Sequence, residues 1–592
     1  MGLLSILSNA TSALLNTQTQ INVTSSNIGN AQNPNYSQRN TVLTNESPEN
    51  GGSTQVVDVT RAVDGTLQTN YLNQTTNSAA TTTVSQLYTQ LEQLTGSSTE
   101  SPVLTSALQT FQDAWQALQA TPEDTTIQAQ VLTSAQSLVG TIQSVSHGVE
   151  QIASQVTTQV GTDVSTLNSS LSQIAVLNQQ IAAGNASNQD TTSLQDSRDQ
   201  LITTVAGLVP VQQQMNADGT IYLSTPTGVS LVQQTATSFA YDATNDSIYN
   251  AADPAKTSLN RALTNGQIGA EIGILANTGS QTASDVNQLN GYLSQIATIN
   301  AAASATPSTE TAGQTAAFPG LISAVQALLP GVTVTSATTA PSAVELGTTF
   351  LVTANGSSTS PLAYNASSNI VYLASDTTQA SLNSQTGGAL ATDLATPPTS
   401  VANSSATGTG VLQNLRTQLN NLADIFYSPV GQTAFQAAYN PSDTAGADFF
   451  TGTTNGSSDR FTLSVNATAT TLASAISATP SIAVNVAQSF TNTTSSFNAG
   501  GVSVSSTNFL GIANAIAADQ SNDAETATTN QTTATANTSA AQQAYRNVTG
   551  VSSDQQLAQL VSLQNAYSAA AKIISTVQEL ESTLLTAVGG TS

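Results

Sequence analysis

The two ends of this 592-residue chain carry the same pattern. From Leu3 onward, apolar or small residues fall at Leu3, Leu7, Ala10, Leu14, Thr17, Ile21, Thr24 and Ile28, in alternating steps of four and three. Near the other end Leu560, Leu563, Tyr567, Ala570, Ile574, Val577, Glu581, Leu584 and Val588 repeat it, broken only by Glu581. Such spacing winds one seam along a helix, the geometry of coiled-coil packing. Neither helix holds alone, because each presents a long apolar stripe with nothing local to cover it. Either the two cover each other, or each packs on neighbours in an assembly. A core helix in an ordinary bundle shows the same short pattern.

Between the ends the periodicity changes several times. Leu104, Leu108, Phe111, Trp115 and Leu118 mark an amphipathic helix that stops near Pro122. A longer one is expected over 126–183, with its stripe at Val131, Leu138, Ile142, Val145, Val149, Ile152, Val156, Val160, Val164, Leu167, Leu171, Ile174 and Ile181. At 1.5 Å per residue it reaches roughly 85 Å, which indicates a rod. The four-residue steps from Ile152 to Val164 resemble a stutter, and Gly140, Gly148 and Gly161 predict a bend or break. A helix over 193–211 is expected to start at Ser193 and carry Leu194, Leu201, Val205 and Leu208 on one face. After Pro210 the period becomes two (Ile221, Leu223, Val229, Leu231, Phe239, Tyr241), with turn signals at Ala217-Asp218-Gly219 and Asn245-Asp246. That pattern predicts antiparallel hairpins. Further helices are expected over 282–300, 411–426 and 508–545, and strands over 350–353, 370–373, 460–465 and 482–486.

The fold class is therefore α+β and multidomain. Terminal coiled-coil helices and a long-helix bundle form a rod, with β-rich outer domains inserted in the middle. The boundaries read as 1–80 and 549–592 for the two parts of the inner coiled coil, and 81–209 and 506–548 for the helical rod. A β-rich domain with a helix is expected over 210–301, a Ser/Thr/Ala-rich insertion over 302–410, and a second helix and β-rich domain over 411–505.

Composition narrows the chemistry. Nine Lys and Arg stand against 34 Asp and Glu, a net charge of −25, so the chain lacks the basic surface that nucleic acid requires. An anionic membrane surface is excluded for the same reason. There is no cysteine and one histidine, which removes thiol nucleophiles, disulfides and Cys/His zinc sites. A Ser-His-Asp site would need His147, which lies between Val145 and Val149 on the side of its helix away from the stripe. Asp443 and Asp448 offer only two carboxylates where a calcium loop needs ligands at regular alternate positions. Arg198, flanked by Asp196 and Asp199, reads as a local salt bridge and cap. No catalytic, cofactor or metal residue is assigned. The most apolar run, 320–332, is broken by Gln326 and Pro330 and falls short of the ~20 residues of a membrane span. No Lys or Arg precedes Arg39 and Ile6 misses the myristoylation pattern, so export without a cleavable signal is expected.

Ser26-Asn27-Ile28-Gly29-Asn30, followed by Asn35-Tyr36-Ser37-Gln38-Arg39, resembles the axial-protein family of the bacterial flagellum. Asn35 stands where that family usually has Gly, and Asn is the residue that best tolerates a left-handed backbone in its place. Gln38 and Arg39 reverse the family's common order. Segments 194–211, 219–233, 265–275, 445–453 and 550–580 are similar to the hook-associated protein 1 family of hook–filament junction proteins. The resemblance implies a structural protein without enzymatic activity, exported by the flagellar type III apparatus and located outside the cell in the flagellum. It also implies self-association in a ring or tube layer, contacts with hook protein and hook-associated protein 3, and an export chaperone on the C-terminal helix. The expected assembly residues are Leu7, Leu14, Ile21, Asn27, Ile28, Asn30 and Tyr36, with Leu560, Leu563, Tyr567, Ile574, Val577, Leu584 and Val588; Asp196, Arg198 and Asp199 form a structural motif. The rival readings are a secreted self-assembling acidic adhesin or another axial protein, hook-associated protein 3 or hook protein.

Overall fold

The structure, a computed structural model, describes residues 3–45, 54–96, 102–244, 246–254, 256–276, 293, 410–427, 433–442, 444, 446–454, 461–492 and 495–589, with five strands between 332 and 373. In chain order the elements are α1 (Leu3–Gly29), β1 (Arg39–Asn45), β2 (Thr54–Arg61), α2 (Gly65–Thr95), α3 (Val103–Ala120), α4 (Thr125–Ala186) and α5 (Thr192–Leu208). The strands β3 (Gln212–Met215), β4 (Ile221–Ser224), β5 (Ser230–Val232), β6 (Phe239–Asp242) and β7 (Ser247–Asn250) follow, then α6 (Gly266–Leu275). Next come β8 (Val332–Ala337), β9 (Ala340–Leu346), β10 (Thr349–Val352), β11 (Leu362–Asn365) and β12 (Ile370–Leu373). Then α7 (Val411–Asp424), α8 (Ala434–Tyr439), β13 (Phe450–Thr454), β14 (Phe461–Val465), α9 (Ala469–Ala478) and α10 (Ser481–Thr491). The chain closes with β15 (Ser495–Ala499), β16 (Val502–Thr507), α11 (Phe509–Thr549) and α12 (Ser553–Gly589). Among the described residues every sheet is small and antiparallel: β3-β4-β5, β10-β9-β8, and the pairs β1-β2, β6-β7, β11-β12, β13-β14 and β15-β16.

Two compact units divide the chain, each assembled from separated pieces. The first takes Met1–Ser78, Thr166–Thr237 and Ala534–Ser592; the second takes Ala79–Ser165 and Ser238–Thr533. The second unit gathers the scarce aromatics. Phe111 and Trp115 of α3 pack with Phe426, Phe435, Phe449, Phe450 and Phe490, mostly edge to face, with centroids 5.4 Å apart for Phe111–Phe490 and 4.9 Å for Phe449–Phe450. Each such pair contributes about 0.5–1.5 kcal/mol beyond its buried area, which helps a chain only 4% aromatic to hold one dense core.

Three expectations are corrected. The helix α4 runs unbroken through Gly140, Gly148 and Gly161. At Gly148 the missing side chain serves packing, because a Cβ there would collide with the Leu94 side chain. Residues 482–486 belong to helix α10, not to a strand. Ile482, Val484 and Val486 alternate in sequence, yet the buried set (Ile482, Ala483, Val486, Ala487, Phe490) follows helical spacing. The N-cap of α5 is Thr191 rather than Ser193, with the Asp190 carboxylate accepting from the Thr192 N–H at 2.9 Å. The hairpins of 211–250, the α3 helix and the strands near 350, 370 and 461–465 stand as expected. The helix expected over 282–300 lies outside the described residues, Leu293 apart.

The helix α2 is absent from the expectations because it is rich in Thr, Asn and Gln. Its threonines keep the helix by donating their hydroxyls to carbonyls one turn back, as Thr69 does to Gly65, Thr75 to Tyr71, Thr83 to Ala79 and Thr89 to Ser85, at 2.8–3.0 Å. The same bonds recur in α11, from Thr528 to Ala524 and Thr532 to Thr528. A residue that competes with helix elsewhere here satisfies its own hydroxyl within it.

Candidate functional site

The two terminal helices lie against each other in the first unit. Asn27, near the end of α1, bonds to Gln556, near the start of α12, so the pair runs antiparallel. The heptad of α1 separates into two columns. Ala10, Thr17 and Thr24, one heptad apart, are buried; their small side chains let α12 approach closely. Leu7, Leu14, Ile21 and Ile28 form the other column, and each is only half-buried. On α12, Val577 and Ala570 are buried, Leu560, Leu563, Tyr567 and Ile574 half-buried, and Leu584 is 54% exposed. Counted from the Asn27–Gln556 pair, α12 outruns α1 beyond about residue 580, so Leu584 has no α1 residue to meet. The Val588 side chain lies outside the described set. Ile6 and Leu15 on α1 and Leu557, Val561, Ile573, Leu580 and Leu585 on α12 are exposed as well.

Below the pair sits a polar hub centred on Asn27, which is 1% exposed. Its Nδ2 donates to the Arg39 carbonyl at 2.9 Å and to Gln556 Oε1 at 3.0 Å. Its Oδ1 accepts from the Tyr36 hydroxyl at 2.8 Å and from the Arg39 N–H at 2.9 Å. All four hydrogen-bonding positions of the amide are filled. One side chain thereby ties α1, the following loop, the start of β1 and α12. Asn30 acts locally, donating to the Ser26 carbonyl at 2.9 Å to close the last turn of α1. Asn16 anchors the middle of α1 to β2, donating to the Thr54 carbonyl and accepting from the Val56 N–H. The Gln38 N–H reaches the Thr549 carbonyl at 2.7 Å, fastening the loop to the end of α11.

Beside the hub, charge gathers. The β1–β2 register sets Arg39 directly opposite Arg61, a repulsive pairing by itself. Two carboxylates from α5 resolve it: Arg61 Nη1 lies 2.8 Å from Asp196 Oδ1 and 2.9 Å from Asp199 Oδ2, and Arg39 Nη2 lies 3.9 Å from Asp196. Arg61 Nε also donates to Gln195 Oε1 at 3.0 Å. Burial alone would lower the Arg61 pKa, but Asp199 and Asp196 outweigh it and raise it. Asp196 is pushed upward by burial despite its arginine partners, and burial likewise raises Tyr36, over whose ring the Arg39 guanidinium lies at 5.0 Å. Of the local bridge expected around Arg198, the pairing with Asp199 is present and that with Asp196 is not. Asp196 and Asp199 serve Arg61, while Arg198 is fully buried and donates to the Gly219 carbonyl at 2.7 Å and Asn178 Oδ1 at 3.2 Å. Its Nε lies 3.8 Å from Asp199, and burial lowers its pKa to about 10. It locks α5 to the β3–β4 turn.

A cavity of about 450 Å³ opens beside this cluster, walled by Tyr36, Ser37, Tyr71, Asp196, Asp199, Tyr545 and Arg546 among others. Tyr71 and Tyr545 stack across it with centroids 6.1 Å apart. Four of the chain's nine bases, Arg39, Arg61, Arg198 and Arg546, collect in this one region. Sequence reasoning missed Arg61, Gln556 and Tyr545; the rarity of basic residues was the one available signal. His147 is exposed, its Nδ1 3.5 Å from Glu150. Asp448 accepts from Asn440 at 3.1 Å and Gln436 at 3.4 Å, and Asp443 lies outside the described residues. Among the described residues no three His, Asp or Glu side chains converge as metal ligands, and no helix is long and apolar enough to cross a membrane.

Residues 88–278 match the family model of the flagellar hook-associated protein FlgK helical domain, and 541–587 match that of the flagellar basal body rod FlgEFG protein C-terminal. Both models describe components of the flagellar axis, the class of protein to which this chain is similar. Within that class the relatives are specific. The chain is similar to flagellar hook-associated protein 1 of Salmonella typhimurium, 25% identical over 311 residues, and of Escherichia coli, 27% identical over 313 residues. Each match covers 50% of this chain, and the chain spans about half the length of these relatives, 54% and 55%. Among solved structures, the flagellar hook junction protein FlgK from Burkholderia pseudomallei aligns over 39% of this chain and 43% of its own, at 24% identity and a TM-score of 0.31, a likeness too small to bear on the fold.

Proposed function

We propose that this chain is a structural, non-enzymatic component of the bacterial flagellum that acts as the adaptor between hook and filament, assembling through its paired terminal helices. The observation that carries the reading is the half-covered column. Leu7, Leu14, Ile21 and Ile28 remain half-exposed after α12 has packed, and α12 keeps a further row of exposed Leu, Ile and Val. Apolar surface left on both helices of a fully formed pair is suited to neighbouring copies. Similarity to hook-associated protein 1 of Salmonella typhimurium and Escherichia coli supports the place of action. In this reading copies self-associate in a ring or tube layer outside the cell, and hook protein and hook-associated protein 3 are the neighbours. The type III apparatus exports the chain, and a chaperone covers 560–588 before assembly.

Electron microscopy of cells lacking this protein tests the reading. Bare hooks with flagellin shed into the medium are expected, restored to filaments by the full chain but not by a chain lacking residues 560–588. Normal filaments in either the null or the truncated strain would overturn it.

A further inference from the structure

Two carboxyl groups of the second unit are buried side by side with no base to neutralise them. Asp163 of α4 is 6% exposed and Glu271 of α6 is 2% exposed. No Lys or Arg lies within ion-pair distance of either among the described residues. Two carboxylates so placed repel, so one of them keeps its proton. The donors decide which. Asp163 accepts from Gln159 at 3.1 Å through Oδ1 and from Gln267 at 2.7 Å through Oδ2, the pattern of an ionised group. Glu271 Oε1 takes one longer bond from Gln267, at 3.3 Å, and its Oε2 meets no donor among the described residues. A proton on Oε2 makes that oxygen a donor to Asp163, with which Glu271 is hydrogen-bonded. The two side chains share one proton, and the Gln267 amide spans both.

The surroundings add no compensating charge. Burial and the Asp163 carboxylate raise the Glu271 pKa. Glu271 is the one titratable residue of α6, and Arg261, on the turn before it, is exposed. The helix α7, which packs on α6, carries Arg416 and Asp424, and Arg416 forms no ion pair with either carboxyl. On its open side Glu271 faces a recess of about 420 Å³, where α2 and α4 contribute Gln86, Gln90, Gln155 and other neutral side chains. The position has mechanical leverage: α6 puts Ile268, Ile272 and Ile274 into the interior, and its Gly273 carbonyl accepts from the Gly410 N–H ahead of α7 at 2.9 Å. We propose that Asp163 and Glu271 form an acid-tightened clasp, in which one shared proton fastens α6 to α4 and an alkaline medium favours a lifted α6 with Glu271 ionised. Lifted into water, Glu271 regains the ordinary glutamate value of about 4.3. The clasp is therefore at full strength below that value. Each pH unit above it populates the lifted form about tenfold more, until the raised value of the closed form, about 9, is reached. This inference rests on no part of the assembly reading.

Glu271→Gln separates the proton from the shape, because its amide still donates to Asp163 but does not titrate. Hydrogen exchange of the full chain and of this variant is compared at matched pH, in unit steps over about pH 5–8, so that the intrinsic pH dependence of exchange cancels. In peptides from α6 the ratio of exchange in the unaltered chain to exchange in the variant is expected to rise about tenfold per unit, while peptides from α3 keep a constant ratio. A flat ratio in α6, or an equal rise in α3, overturns the clasp. If the variant fails to fold, infrared spectroscopy of the unaltered chain decides. A buried protonated carboxyl is expected at pH 7 and should vanish on titration through about 9; its absence at pH 7 sinks the proposal.

Discussion

Replacing Asn27 by alanine probes the joint between the two ends most directly. The amide makes four hydrogen bonds at 2.8–3.0 Å inside a site where Asn27, Tyr36 and Gln556 are all under 10% exposed. Alanine leaves the Tyr36 hydroxyl, the Arg39 N–H and carbonyl, and Gln556 Oε1 without partners. Buried groups left unpaired cost about 1–3 kcal/mol each. Because Arg39 is only half-buried, water reaches part of the site and the lower figure applies, giving about 4 kcal/mol in all. At 1.4 kcal/mol per tenfold, amide protection in the last turns of α1 and the first turns of α12 should fall roughly a thousandfold. Tyr36→Phe removes one bond and leaves Asn27 Oδ1 still paired with Arg39, so about tenfold is expected. Asn30→Ala loses only a local bond and should change less. The assay is hydrogen exchange with mass spectrometry on the purified chain, comparing peptides from both helices. If Asn27→Ala lowers protection in α1 but leaves α12 untouched, the hub does not join the ends and the reasoning fails.

Other perturbations give distinct outcomes. Arg61→Met removes the closest cation from Asp196 and Asp199, leaving Arg39 at 3.9 Å and Arg198 at 3.8 Å, and should destabilise the first unit by about 1–3 kcal/mol; adding Asp196→Asn should recover part of it in thermal unfolding, and no recovery would mean that charge is not the cause. Gly148→Ala should destabilise the second unit, because its Cβ meets Leu94, whereas Gly140→Ala and Gly161→Ala, with open space around them, should stabilise by about 0.4–1 kcal/mol. Equal effects at all three positions would remove the packing argument. Burial, helped by Asp523, raises Asp519 from 3.8 to about 6. The folded second unit thus favours the protonated form, and this contribution is full below about pH 4 and lost as pH rises through about 6. Asp519→Asn, whose carbonyl can still accept from Gln418, should flatten that slope; an unchanged slope between pH 4 and 6 would refute it.

Apolar periodicity made the long elements legible. Of the stripe read on α4, Val131, Leu138, Val149, Val160, Leu171 and Ile181 are buried, because a helix clamped along its length must hide one face. The same rule failed at 482–486, where two apolar periods coincide over a few residues and only the neighbours decide. It was silent on α2, whose helix rests on hydroxyl-to-carbonyl bonds rather than on strong formers. Of the candidate site, Asn27, Tyr36 and the two helix stripes were readable. Arg61 was not: its partners lie 135 and 138 residues later, on another element, and no local pattern encodes such a pairing. At Arg198 the adjacent Asp199 was readable, but the closer bonds to Gly219 and Asn178 lie on other elements and were not.

The Asn27–Gln556 bond spans 529 positions of sequence. Until residue 556 is available, the amide of Asn27 has one donor idle and the seam of α1 lacks its mate. Contacts so distant form late, because ordering the intervening chain precedes any gain from them. Any chain cut short before that point, whether by interrupted synthesis or by proteolysis, therefore carries a first unit that cannot close. The segment after residue 556 is thus the one that decides whether α1 gains its mate, so only chains that extend past it form the pair.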